Sequence, residues 1–190
     1  MRTANDDQSW RAGEAATNDK RLFHVSEEGG IDPFDPRPSP SFFSSIKGDV
    51  VFAISGRLLH NYLLPRDCPR VTYYAGPATS PEDRQRFLGH SRATHVVAIE
   101  AGWFRRVKET ALYCYEFAAD NFRCLDEVAG YYISYQQEMA VSRRRIDDIL
   151  GELLKGDVEL RILPELWTLA NAVKESSLSF SLIRMRNAVK

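Results

Sequence analysis

The chain has 190 residues, of which 44% are hydrophobic and 27% charged. That length fits one domain, or a domain with a tail, and the apolar share excludes wholesale disorder. Basic residues number 25 and acidic residues 26, a balance that argues against nucleic-acid binding through bulk electrostatics. Residues 1–20 are polar and aperiodic, with Trp10 the one large apolar group. They read as a disordered tail, with the folded body over 21–190.

RLFHVS at 21–26 predicts a short strand. Two glycines and four prolines follow, at Gly29, Gly30, Pro33, Pro36, Pro38 and Pro40. Proline fixes φ and removes a donor, so this stretch is an extended loop, pinned to the core by Ile31 and Phe34. VVFAIS at 50–55 is a continuous apolar run of strand length. GRLLHNYL then has helical spacing and is closed by Pro65 and Pro69. VTYY at 71–74 is a strand by β-branched and aromatic content. Ser80-Pro81-Glu82-Asp83 starts a helix that ends near Gly89. HVVAIE, ALYCYEF, YYIS and VELRIL are further strands, the last alternating strictly. Trp103, Phe104 and Val107 fit a turn or two of helix. Helical spacing returns over Ile146–Leu154, after Pro164, and over Leu178–Met185. Arg143-Arg144-Arg145 reads as a solvated run ahead of a helix. The expected architecture is an α+β domain with a curved, mixed or mainly antiparallel sheet of about six or seven short strands.

No apolar run approaches the ~20 residues of a membrane span, and the first residues have no apolar secretion segment. Cys68, Cys114 and Cys124 lack C-x-x-C spacing and read as reduced thiols in a cytoplasmic protein. Neither a phosphate-cradling glycine motif nor a nucleophile elbow is present. His90 and His95 have no carboxylate or cysteine at ligand spacing, so no metal site is expected.

Several side chains carry possible chemistry. His24, at a strand end, is placed to donate to a ligand hydroxyl, or else is a half-buried histidine bonded to a carbonyl. Tyr62 could stack on a flat heterocycle, or simply belong to the core. Arg66 and Arg70, held between prolines in NYLLPRDCPR, present planar forks suited to phosphate or carboxylate. The bland alternative is a local surface ion pair with Asp67. Cys68, beside these arginines, is a weaker candidate nucleophile.

LFHVS, the Pro/Gly-rich loop, and VVFAIS with a tyrosine seven residues past Ser55 resemble the opening of ADP-ribosyltransferase-like domains. The resemblance implies a transferase handling NAD as substrate. His24 would hold the nicotinamide-side ribose, Tyr62 would stack on nicotinamide, and Glu159 would steady positive charge at the anomeric carbon, with Glu116 as the second choice. Ser26, Arg66 and Arg70 complete the implied binding set, and Tyr131 in YYIS opens a rival second motif. The alternative is a catalytically silent module of the same fold that binds a nucleotide, a small anion or a protein. FHVSEE, NYLLPRDCPRVTYY, VVAIEAGWF, AGYYIS and SFSLIRMRNA also resemble a family of small uncharacterised bacterial proteins, which implies a stand-alone domain and no particular reaction.

Overall fold

A computed structural model of the chain describes residues 21–39 and 45–190; the expected tail at 1–20 lies outside them. Among the described residues, ten strands and four α-helices follow in order. They are β1 Leu22–Ser26, β2 Val51–Ser55, β3 Arg70–Tyr74, α1 Pro81–Leu88, β4 His95–Glu100, α2 Phe104–Glu109 and β5 Leu112–Phe117. Then come β6 Arg123–Asp126, β7 Tyr131–Ser134, β8 Ala140–Ile146, α3 Ile149–Lys155, β9 Val158–Leu163, α4 Trp167–Lys174 and β10 Ser179–Ile183. Tight 3-10 turns span Gly56–Tyr62, Ala101–Trp103 and Met185–Asn187.

The class is α+β, as expected, but the strands form two sheets. One has six strands in the order β6-β7-β2-β1-β5-β8, all antiparallel. The other has four, β10-β3-β4-β9, antiparallel except for the parallel pair β4 and β9. Each of the seven sequence-expected strands is present. β6, β8 and β10 are the additions.

The expected helix over Leu178–Met185 is strand β10, with Phe180 opposite Tyr73 and Leu182 opposite Val71. Its alternating serines suit a strand and weaken a helix interior. Arg143-Arg144-Arg145 lies in β8, an edge strand exposed enough for arginines to point both ways. α3 therefore starts at Ile149, where Asp148 caps the Gly151 N–H, rather than at Ile146. The stretch expected as a short helix, Gly56–Tyr62, is a 3-10 turn with a kink at Leu58 (φ −115°, ψ 16°). α1 matches its expectation: the Ser80 side chain accepts from the Asp83 N–H, Pro81 takes the first position and Gly89 closes it.

The alternation of each strand decides where its side chains go. Phe23, Ile54, Leu112 and Cys114 of the first sheet meet Val97, Ile99 and Val158 of the second in a shared core. Leu58, Leu59 and Leu63 of the 3-10 turn, Val107 of α2 and Leu153 of α3 complete it. The far face of the four-stranded sheet carries Val71, Tyr73, Val96 and Ala98 under Phe87 of α1 and Ala170 and Val173 of α4.

The far face of the six-stranded sheet is covered by the Pro/Gly loop. Phe34 sits 5% exposed among His24, Tyr115 and Phe117, edge-on to each ring at 4.9–5.1 Å. Backbone bridges Phe34–Glu138 and Arg37–Val50 fasten the loop, and the Tyr115 hydroxyl donates to Glu28 O and accepts from Ile31 N. Gly29 crosses the Tyr113 ring so closely that a Cβ would lie 2.4 Å from it, which explains a residue without a side chain there.

Candidate functional site

Pro65 and Pro69 end the 3-10 turn and hold a tight loop, in which Cys68 N donates to Pro65 O at 3.0 Å. The loop feeds Arg70 into the start of β3, on the face that meets the six-stranded sheet. Arg70 is 2% exposed. Its Nη1 donates to Cys68 O at 3.0 Å and to Pro65 O at 3.3 Å, and its guanidinium carbon stands 5.4 Å from the centre of the Tyr62 ring. Its Nε has no hydrogen-bond partner, and no ion pair engages it among the described residues. Burial lowers its pKa, working against the charged form. A buried charge without a counter-ion is costly, because two carbonyls and a ring face replace only part of its hydration.

The Tyr62 hydroxyl donates to the Tyr131 hydroxyl at 3.0 Å, and the rings meet edge to face with centres 6.3 Å apart. Burial, then the neighbouring Tyr131, pushes the Tyr62 hydroxyl above its usual pKa, so it stays a donor at neutral pH. The two tyrosines that rivalled each other in sequence therefore stand side by side, with the Tyr62 ring over the Arg70 guanidinium. Arg66 is on the rim, exposed, with its N–H donating to Glu27 Oε1 at 2.8 Å; Arg106 Nη2 reaches Glu27 Oε2 at 3.5 Å. The structure thus brings Tyr62 and Arg70 together, while Arg66 stays on the rim near the end of β1, its charge felt at His24.

His24 and Ser26 lie on the opposite face of β1 from that core. His24 Nδ1 is 3.0 Å from Phe52 O, and Phe34 covers the ring. Burial first, then the charges of Arg66 and Arg37, lower its pKa against the backbone hydrogen bond. Ser26 Oγ accepts from Glu28 N in the turn that leads into the loop.

Glu159 does not join them. It lies in β9 on the far face of the four-stranded sheet, where Arg161 Nε donates to its Oε1 at 2.6 Å and Arg161 Nη2 to Phe87 O at 2.7 Å. Burial raises its pKa, but hydrogen bonds from Arg161 and Ser91 outweigh that and hold it below the usual range. Arg161 also lines a surface cavity of about 400 Å³ with Arg86, Phe87 and Leu169. Two sheets and a core separate this carboxylate from His24. Glu116 is no substitute: it points away from His24, bound to Arg21 through both oxygens at 2.7 and 3.0 Å. Cys68 is fully buried, and burial pushes its thiol up to about 12, which removes it as a nucleophile.

A second polar group lies under the other end of the 3-10 turn. The His95 ring is 4.4 Å from that of His60 and 4.7 Å from that of Tyr74, whose hydroxyl accepts from Arg57 Nη1 at 3.0 Å. Thr94 Oγ1 and His95 Nδ1 are 2.9 Å apart. Burial and the Arg57 charge bring His95 down to about 4, and burial holds His60 well below its usual value. Both imidazoles are neutral at pH 7.

Residues 23–188 match one family, described as a family of unknown function (DUF6886). The chain belongs to that family. The match takes in both sheets and the whole Tyr62–Arg70 segment, so the DUF6886 fold includes the site described above. Comparison with curated proteins and with solved structures returns no match, so the ADP-ribosyltransferase resemblance has no support from them. Among the described residues, no helix is long and apolar enough to cross a membrane.

Proposed function

We propose that this DUF6886 domain is a binding module for a small phosphorylated ligand of the nucleotide class, seated at the Tyr62–Tyr131 pair above Arg70. The observation that carries the reading is the enclosed Arg70 guanidinium, which has an unengaged Nε and no ion pair among the described residues. Its planar fork matches a phosphate oxygen pair, and a bound anion offsets the cost of burying the charge. The tyrosines supply two hydroxyls and an aromatic edge for the sugar or base, and Arg66 adds charge at the rim.

The NAD-cleaving alternative needs a carboxylate beside the anomeric carbon to stabilise developing positive charge. Glu159 is tied to Arg161 on a remote face and Glu116 to Arg21, which favours the silent reading.

Titration calorimetry with NAD, ADP-ribose and inorganic phosphate, together with chromatographic assay of nicotinamide release, tests the proposal. Expected are binding by the wild type, its loss in Arg70→Met and Tyr62→Ala variants with native circular dichroism, and no nicotinamide release. Absence of heat with every probe at millimolar concentration sinks the binding reading. Release of nicotinamide restores the transferase.

A further inference from the structure

We propose that Arg184 supplies the second arm of this site, so that the group bound is a dianion of the phosphate type bridging Arg70 and Arg184. The inference rests on the proposed binding at Arg70 and names the class of ligand. The sheet register sets the geometry. Ile183 of β10 is the direct partner of Arg70, so Arg184 leaves the sheet immediately beside the Pro65–Arg70 loop. There it adopts a left-handed backbone conformation, φ 56°, which is uncommon for a residue with a long side chain. The chain turns back at once into the 3-10 turn Met185–Asn187.

Two hydrogen bonds then strap this segment over the loop, and a third ties it to the end of β4. Arg184 Nε donates to Arg66 O at 3.3 Å, Asn187 Nδ2 to Asp67 O at 2.7 Å, and Val189 N to the buried Glu100 carboxylate at 2.9 Å. The strap holds a second guanidinium close enough to Arg70 for its charge to act against that of Arg70, and both arginines act on the Tyr62 hydroxyl. The acids nearby are Glu27, Asp67 and Glu100. Glu27 is taken by Arg66 N and Arg106, Glu100 by Val189 N, and none forms an ion pair with Arg70 or Arg184 among the described residues. Two neighbouring like charges that no acid pairs with among the described residues suit an anion of charge two. A carboxylate neutralises only one of them. Arg184 commits its Nε to Arg66 O, and its two terminal nitrogens have no partner among the described residues and are available for phosphate oxygens.

The test compares inorganic phosphate, AMP and acetate at fixed ionic strength, by calorimetry on the wild type and on Arg184→Gln, Arg184→Lys and Asn187→Ala. The wild type is expected to bind phosphate and AMP well above acetate. Its phosphate affinity should rise from pH 6 to 8 as the ligand's second proton leaves. Arg184→Gln should lose roughly ten- to hundredfold in affinity, the worth of one charge-assisted contact. Arg184→Lys should recover part of the loss. Asn187→Ala, which loosens the strap and keeps the charge, should lose about two- to tenfold. AMP tighter than phosphate identifies a nucleotide monoester as the source of the dianion; equal affinity identifies the free ion. Phosphate binding unchanged in Arg184→Gln overturns the bridging role while leaving the Arg70 site standing. Acetate as tight as phosphate overturns the dianion. No binding by the wild type removes both proposals together.

Discussion

An arginine keeps its proton at any pH at which the fold survives, so Arg70 cannot escape the cost of burial by neutralising, as a lysine would. That is why its surroundings are informative and why those of His24 are less so. The His24 ring has a carbonyl at Nδ1 and Phe34 across it, the environment of a histidine that fastens a loop to a sheet. His24→Ala is therefore expected to cost about 1–3 kcal/mol in urea unfolding, through the lost hydrogen bond and packing, with phosphate affinity unchanged. A large affinity loss without destabilisation would show the ring to be a ligand contact. Tyr62, Arg66 and Arg70 were legible as a group because nine residues and two prolines keep them together whatever the fold. Glu159 was not, since strict alternation shows that a residue shares a face with its second neighbour and never which sheet that face looks toward. Arg184 left no trace in the pattern; its importance comes from a register with a strand 113 positions earlier.

At the level of elements, the seven strands that could be read are rich in apolar, β-branched and aromatic residues, and most of them lie inside a sheet. The three that could not are edge strands, β6, β8 and β10, where one side faces away from any ladder and the sequence is free to carry Arg, Asp or Ser. The Pro/Gly loop was legible as a loop pinned by Phe34, because proline forbids the alternatives. It acts as a lid of main chain laid on one face of the six-stranded sheet. Phe34→Ala should cost about 3–5 kcal/mol, the usual loss for a buried phenylalanine. Amide exchange should speed up across residues 27–38 before it changes in β3 or β4. Uniform acceleration throughout the molecule would mean that the loop is no separate unit of stability.

For the molecule as a whole, acidity should act through its centre. His95 is held at about 4 and His60 well below its usual value, with Arg57, Tyr74 and Thr94 packed around them. As pH falls below ~6.5 the unfolded chain binds these protons and the native chain does not. Stability should therefore be level above that point and fall toward pH 4 by up to ~1.4 kcal/mol per pH unit for each histidine. Glu116 and Glu159, held low by hydrogen bonds, add a further loss once pH drops below ~4.3. Urea midpoints measured across this range check the expectation; His95→Phe should flatten the upper part, and a level profile from pH 7 to 5 would refute it. The same centre is shared by strands drawn alternately from early and late in the chain: β1, β2 and β5–β8 form one sheet, β3, β4, β9 and β10 the other. A scission anywhere from Glu100 to Ala140 therefore splits both ladders at once. Neither fragment would own a complete sheet, and recovery of the native form would require the two pieces to find each other.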